Sequence, residues 1–282
     1  MPDVIKAGRL SVTAAATGQT LLQFLAEELG LSNRKAKAAL DRRDVFVNGR
    51  RVWMARHQLQ SGDRIDIVSS VDVSRREDEE NEILFRDEHY LIANKRPGIL
   101  ACGPDSLEEV LRTSLNLPDL SAVHRLDRDT TGCLMFALSV KALDEMILLF
   151  KHRRVDKRYH VLVEGTVKEK YRTIDTPIAG ERSVTHIEVL GANRRASHLL
   201  VRIETGRTHQ IRKHLIAIGF RVLGDRTYGS GREVEADYRS VPRQMLHAAS
   251  LQFVHPFSGR DVRVTAPLPA DLVKSLNHFG LK

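Results

Sequence analysis

The stretch "AVHRLDRDTTGCLMFAL", residues 122–138, sets five ionisable side chains, His124, Arg125, Asp127, Arg128 and Asp129, against an apolar run. The run does not alternate, which fits a strand buried on both faces. The charged residues then lie on a loop at the end of a central strand, where a rigid sheet can hold reactive groups in place. Asp127 has arginines two before it and one after it, and a nearby cation favours the ionised carboxylate. The available chemistry is that of a nucleophile or an electrostatic stabiliser. A structural ion pair is the competing reading. Asp129 offers a second carboxylate, and so a glycosidase-like pair, although on extended backbone the two side chains point to opposite sides.

Outward from this loop, "ILFRDEHYLIANKRPGIL" (83–100) reads as two strands around a charged turn, closed by Pro97-Gly98. "KALDEMILLFKH" (141–152) is an amphipathic helix with Leu143, Met146, Ile147 and Phe150 inward. Strands follow at "RYHVLVEGTV", "VTHIEVLG" and "HLLVRIET", then a helix in "TGRTHQIRKHLIAIG" (205–219) with Thr208 as its N-cap and Ile211, Leu215 and Ile218 docking on the sheet. Strands at "LHAASLQFVHP" and "DVRVTAP" and a short helix from Pro269 close the chain. Strands outnumber helices without strict alternation, so the expected class is α+β.

Upstream, "SSVDVSRREDEENE" (69–82) has two valines and is otherwise small or charged, which marks a linker. It divides residues 1–68 from 83–282. The first unit reads as a helix at "LLQFLAEELG" with Leu21, Leu22, Leu25 and Leu29 on one stripe, and a second, basic helix at "NRKAKAALDRRD". A hairpin around Asn48-Gly49 in "VFVNGRRVWM" and an alternating strand in "LQSGDRIDIV" follow. Over residues 1–70, eleven Lys and Arg face seven Asp and Glu, a net of +4 within a chain total of +8. Arg34, Lys35, Lys37, Arg42 and Arg43 on the second helix and Arg50 and Arg51 on the hairpin form a surface suited to RNA phosphates, with a solvated helix face as the alternative.

No window approaches a membrane span, and the N-terminus lacks the apolar core of a signal peptide. Cys102 and Cys133 form no metal-ligand spacing, and His209 and His214 are five apart rather than four. A reduced, cytoplasmic, monomeric protein with no cofactor, no metal and no membrane partner is expected.

Two resemblances organise these readings. The helix pair, "VFVNGRRV" and "LQSGDRIDIV" resemble the alpha-L RNA-binding domain over about residues 19–68. Its usual Arg-Leu-Asp opening reads Leu21-Leu22-Gln23 here, and its usual glycine is replaced around Arg43-Asp44. "HRLDRDTTG", "KRYHVLVEG", "TGRTHQIRKHLIAIGFRVLGDRTYG" and "MLHAASLQFVHPFSG" resemble the RluA-type pseudouridine synthases over about residues 83–270. The implied fold is a mixed, mainly antiparallel sheet flanked by helices. The implied reaction isomerises uridine in RNA, with ribosomal RNA of the large subunit favoured over transfer RNA.

Residue by residue, the resemblance makes Asp127 catalytic, Arg212 its partner, Tyr159 the contact to the target base and Arg125 the arginine beside the vacated base position. Asp129 falls on a variable position. The chain departs at "NKRPG", where Arg96 separates Lys95 from the proline, and at Thr131, where serine is more usual. Two rivals remain at this level: a base-removing RNA glycosidase and a non-catalytic RNA-binding or ribosome-assembly protein.

Overall fold

The computed structural model describes residues 4–5, 8–13, 16–30, 33, 36–37, 40, 45–52, 54–67, 71–72, 82–228, 238 and 240–281. The chain divides into two compact units, Met1–Glu80 and Asn81–Lys282.

In the first unit, β1 (Val4–Ile5) pairs with β6 (Val71–Asp72), so ordered pairing runs past residue 68 into the segment expected as linker. A four-stranded antiparallel sheet holds β2 (Gly8–Ser11), β5 (Arg64–Ile67), β3 (Val45–Val47) and β4 (Arg50–Arg51) in that order. Asn48 and Gly49 both take positive φ, 50° and 74°, the two left-handed positions of a tight hairpin turn. Helix α1 (Leu21–Glu28) starts in a capping box between Thr20 and Gln23, which stabilises it by about 1 kcal/mol. Its core anchors are Leu21, Phe24 and Leu25; Leu22 and Leu29 are only half-buried, so the stripe is narrower than expected. Of the basic second helix, Asn33, Ala36, Lys37 and Leu40 are described as helical, with Ala36 and Leu40 in the core.

The second unit is built on a ten-stranded sheet. Its strands are β7 (Ile83–Arg86), β8 (Tyr90–Lys95), β9 (Ser121–Ala122), β10 (Thr131–Ala137), β11 (Asp156–Glu164), β12 (Tyr171–Asp175), β13 (Val184–Ala192), β14 (Ala196–Ile203), β15 (Leu246–Val254) and β16 (Asp261–Thr265). The order is β12-β13-β14-β11-β15-β10-β8-β7, with β16 on β15 and β9 on β10. Only β10 and β15 run parallel, so the sheet is mixed and mainly antiparallel, within an α+β unit. β10 is buried along its whole length, as its apolar run predicts. Alternation sorts its neighbour β8: Leu91 and Ala93 join one core, Tyr90 and Ile92 the other.

Helices α2 (Leu107–Ser114) and α4 (Gln210–Ala217) cover the first of these cores and α3 (Val140–Lys151) the second; α5 (Ala270–His278) packs on a further apolar cluster around Leu162. On α3 the buried residues are Ala142 and Met146, whereas Ile147 is 45% exposed and falls outside the stripe expected for it. The N-cap of α4 is His209 rather than Thr208.

The parallel pairing brings Gly132 opposite Ala248. Gly132 has φ of 105°, and a side chain there would overlap the Ala248 carbonyl. Glycine is required at that position on both counts.

Candidate active site

The charged loop before β10 is held by its own backbone. Lys95 is fully buried, and its Nζ donates to the carbonyls of Arg96, Ile99 and Arg128, each at 2.8 Å. Burial pushes Lys95 down to about 7, but three donated bonds need all three hydrogens of the ammonium. Arg128 Nε donates to the Gly98 carbonyl at 2.9 Å, and Gly98 N–H returns a bond to Arg128 O at 3.0 Å. Arg96, the residue that departs from the family pattern, is absorbed in this turn. Of the five charges in the loop, Arg128 therefore staples the backbone. His124 is neutral: burial and then nearby Lys157 push it down to about 4, and its Nε2 accepts from Met135 N–H at 3.2 Å.

Asp127 is the member aimed inward. Its cation is the distant Arg212 rather than either adjacent arginine: Arg212 Nη1 donates to Asp127 Oδ2 at 3.0 Å. The other edge of the guanidinium forms a fork with Asp225, Nε to Oδ2 at 2.7 Å and Nη2 to Oδ1 at 2.8 Å. Burial works against the Asp225 carboxylate, yet Arg212 and the N–H groups of Thr227 and Tyr228 hold its pKa below the usual range. Burial pushes the Arg212 pKa down, and the same two aspartates together outweigh that push and raise it. Asp225 was not singled out from the sequence; an acid in a Gly-Asp turn reads as solvated, and only the approach of Arg212 buries it.

Asp127 opens onto a cavity of about 260 Å³ that also meets Tyr159, Leu126, Ile211, Leu246 and Arg125. Tyr159 is buried on β11, where burial and then the Asp127 charge raise its phenol pKa, so the ring is neutral. Lys157, two residues earlier on the same face, lines the cavity too, and burial pushes it down to about 8. Arg125 and Asp127 also border a second cavity of about 500 Å³, which Arg128, Asp129 and Arg207 line. Asp129 reaches only this second space, so the two carboxylates do not share the Tyr159 cavity.

His209 was not anticipated as part of the site. It has Nε2 3.7 Å from Asp127 Oδ1 and shares a 2.8 Å hydrogen bond between Nδ1 and Tyr228 Oη. Arg212 lies over the Tyr228 ring, 5.0 Å from its centroid.

In the first unit, Lys37 is exposed, and Arg50 and Arg51 form β4; Arg34, Lys35, Arg42 and Arg43 lie outside the described residues. Among the described residues no group of three or more His, Cys, Asp or Glu is placed to hold a metal ion, and no helix is long and apolar enough to cross a membrane.

The RNA pseudouridylate synthase family matches residues 89–217. The ribosomal large subunit pseudouridine synthase D of Pasteurella multocida (strain Pm70) is 32% identical, over 91% of this chain and 90% of that protein. The protein of the same name from Haemophilus influenzae (strain ATCC 51907 / DSM 11121 / KW20 / Rd) is 31% identical, over 92% and 91%. Human RNA pseudouridylate synthase domain containing 1 superimposes with a TM-score of 0.57 at 32% identity, over 67% of this chain and 84% of that one.

Proposed function

The chain belongs to the RNA pseudouridylate synthase family, in its RluA-type branch, and on that premise we propose that it isomerises uridine in large-subunit ribosomal RNA, with Asp127 as the reacting carboxylate. The observation that carries the assignment of Asp127 is its placement: one oxygen bonded to the buried Arg212, the carboxylate facing the cavity beside Tyr159. The names of the relatives from Pasteurella and Haemophilus support the choice of RNA.

Pseudouridine forms when the bond from C1′ of the ribose to N1 of uracil breaks and a bond from C1′ to C5 replaces it. The C5 proton leaves and N1 ends protonated, so no group is gained or lost. The Asp127 carboxylate acts on the ribose, as nucleophile at C1′ or as base toward the neighbouring sugar proton. Arg212 keeps it aimed through the 3.0 Å bond to Oδ2. The target base first leaves its stack, at a cost of a few kcal/mol. Arg125 fills the gap it leaves, a role supported by its place in the lining of both cavities. Tyr159 and the apolar walls formed by Leu126, Ile211 and Leu246 hold the detached uracil while it turns.

Asp127→Asn preserves shape and removes the charge. We expect the rate of pseudouridine formation on a large-subunit ribosomal RNA transcript to fall on the order of 10⁴-fold, with RNA binding retained. Turnover within tenfold of the unaltered protein sinks the assignment. The basic first unit supports a separate role in RNA affinity. Removing residues 1–80 is expected to weaken binding and flatten its salt dependence, while the rate at saturating RNA changes little; an unaltered salt slope rules that role out.

A further inference from the structure

His209 adopts φ 57° and ψ 30° at the N-cap of α4, and its side chain makes no capping bond. Thr20, Ser106 and Ser139, which cap α1, α2 and α3, have extended backbones and accept an N–H bond in the usual way. A left-handed conformation at a non-glycine residue is strained and persists only where surroundings enforce it. Helix α4 thus starts on a strained residue whose side chain does nothing for the helix end, although Thr208, a good capping type, stands next to it.

What the conformation achieves is the placement of the imidazole. Arg212 occupies Oδ2 of Asp127, and His209 Nε2 faces Oδ1 at 3.7 Å. On the far side of the ring, Nδ1 and Tyr228 Oη are 2.8 Å apart. Two arrangements of the ring satisfy that bond. If Nδ1 carried the hydrogen, the lone pair of Nε2 would point at a carboxylate. If Tyr228 donates to Nδ1, then Nε2 carries the hydrogen and presents it to Oδ1, which electrostatics favours. Tyr228 is itself held by Asp225, whose Oδ1 accepts its backbone N–H at 3.2 Å, and by the cation over its ring.

Resting on the reading of Asp127 as the reacting group, we infer that His209 is a positioning residue for it. Its Nε2–H fixes the orientation of the carboxylate from the side that Arg212 leaves open, and Tyr228 sets the tautomer that makes this possible. At 3.7 Å the contact is longer than a hydrogen bond, so it steers Oδ1 without holding it back from the ribose.

The test uses the full-length protein, a large-subunit ribosomal RNA transcript, and separate readings of RNA affinity and of the single-turnover rate at saturating RNA. His209→Ala is expected to lower the rate on the order of 10²-fold, the scale of a misaligned reacting group, with affinity unchanged. Glutamine can place an N–H where Nε2 stands, whereas asparagine reaches only the Nδ1 position but tolerates the left-handed backbone better. His209→Gln should therefore restore much of the rate and His209→Asn should not. Rescue by asparagine rather than glutamine assigns His209 to the backbone turn and overturns the inference, as does a loss confined to affinity. Should His209→Ala fail to fold, Tyr228→Phe decides: a slower rate at unchanged affinity supports the relay, and an unaltered rate overturns it. Activity retained by Asp127→Asn would instead remove the reading beneath the inference, which keeps the two failures distinct.

Discussion

Two buried arginines grip the same loop in opposite ways. Arg212 forks onto Asp225 and turns Nη1 to the Asp127 carboxylate at 3.0 Å. Arg243 forks onto Asp271 with the same 2.7 and 2.8 Å bonds, but its remaining contacts go to the carbonyls of Gln244, Asp129 and Leu246 and to Thr131 Oγ1. The first clamp ends on a side chain that has to react, the second on backbone that has to stay still. In both, an aspartate holds one edge of the guanidinium. Arg212 therefore offers Asp127 a donor whose direction Asp225 fixes.

The sharpest way to break this comparison is Arg212→Met. It leaves Asp225 buried without its cation, which destabilises by about 3–5 kcal/mol, and unaims Asp127, for a rate loss on the order of 10³-fold per folded molecule. Denaturant melts and single-turnover kinetics read the two effects separately; a rate within tenfold of normal removes the distinction between the clamps. Arg243→Met should give the reverse pattern. We expect about 3 kcal/mol of destabilisation, at the low end of the same range because Asp271 is 29% exposed, and a rate per folded molecule that stays within about tenfold.

A smaller effect comes from His247, whose Nδ1 meets Thr131 Oγ1 at 2.9 Å behind the second clamp. Burial holds its imidazole down to about 4 from an ordinary 6.5. The folded protein binds fewer protons than the unfolded chain between those values, so this stability is complete above 6.5 and drains away as pH falls toward 4. Urea melts at pH 7 and pH 5 should differ by roughly 2 kcal/mol more in the unaltered protein than in His247→Gln. Equal differences would show that the ring is not a buried neutral base.

What could be read beforehand divides along the same line. Asp127, Arg212 and Tyr159 were named from the motifs that carry them, and the all-buried β10 and the Asn48-Gly49 hairpin follow from local pattern alone. Arg243 and Asp225 could not be found that way. Each is a charged residue at a turn, and local sequence assigns such residues to solvent; their burial arises when segments distant in the chain converge, Arg243 with Asp129 across 114 positions. The choice of His209 over Thr208 at the start of α4 fails for the same reason, since intrinsic capping preference favours threonine and the contacts to Tyr228 and Asp127 override it. On α3 the periodicity was right and the stripe too wide, because Ile147 sits at the edge of the face centred on Ala142 and Met146.

Gly132 has a further consequence. It meets Ala248 main chain to main chain, and Ala248 pairs on its other side with Tyr159. The span from the reactive loop to the aromatic floor of the pocket is therefore measured out in peptide groups, the least variable lengths a protein possesses. A substitution among the side chains around the cavity leaves this gauge at the same width.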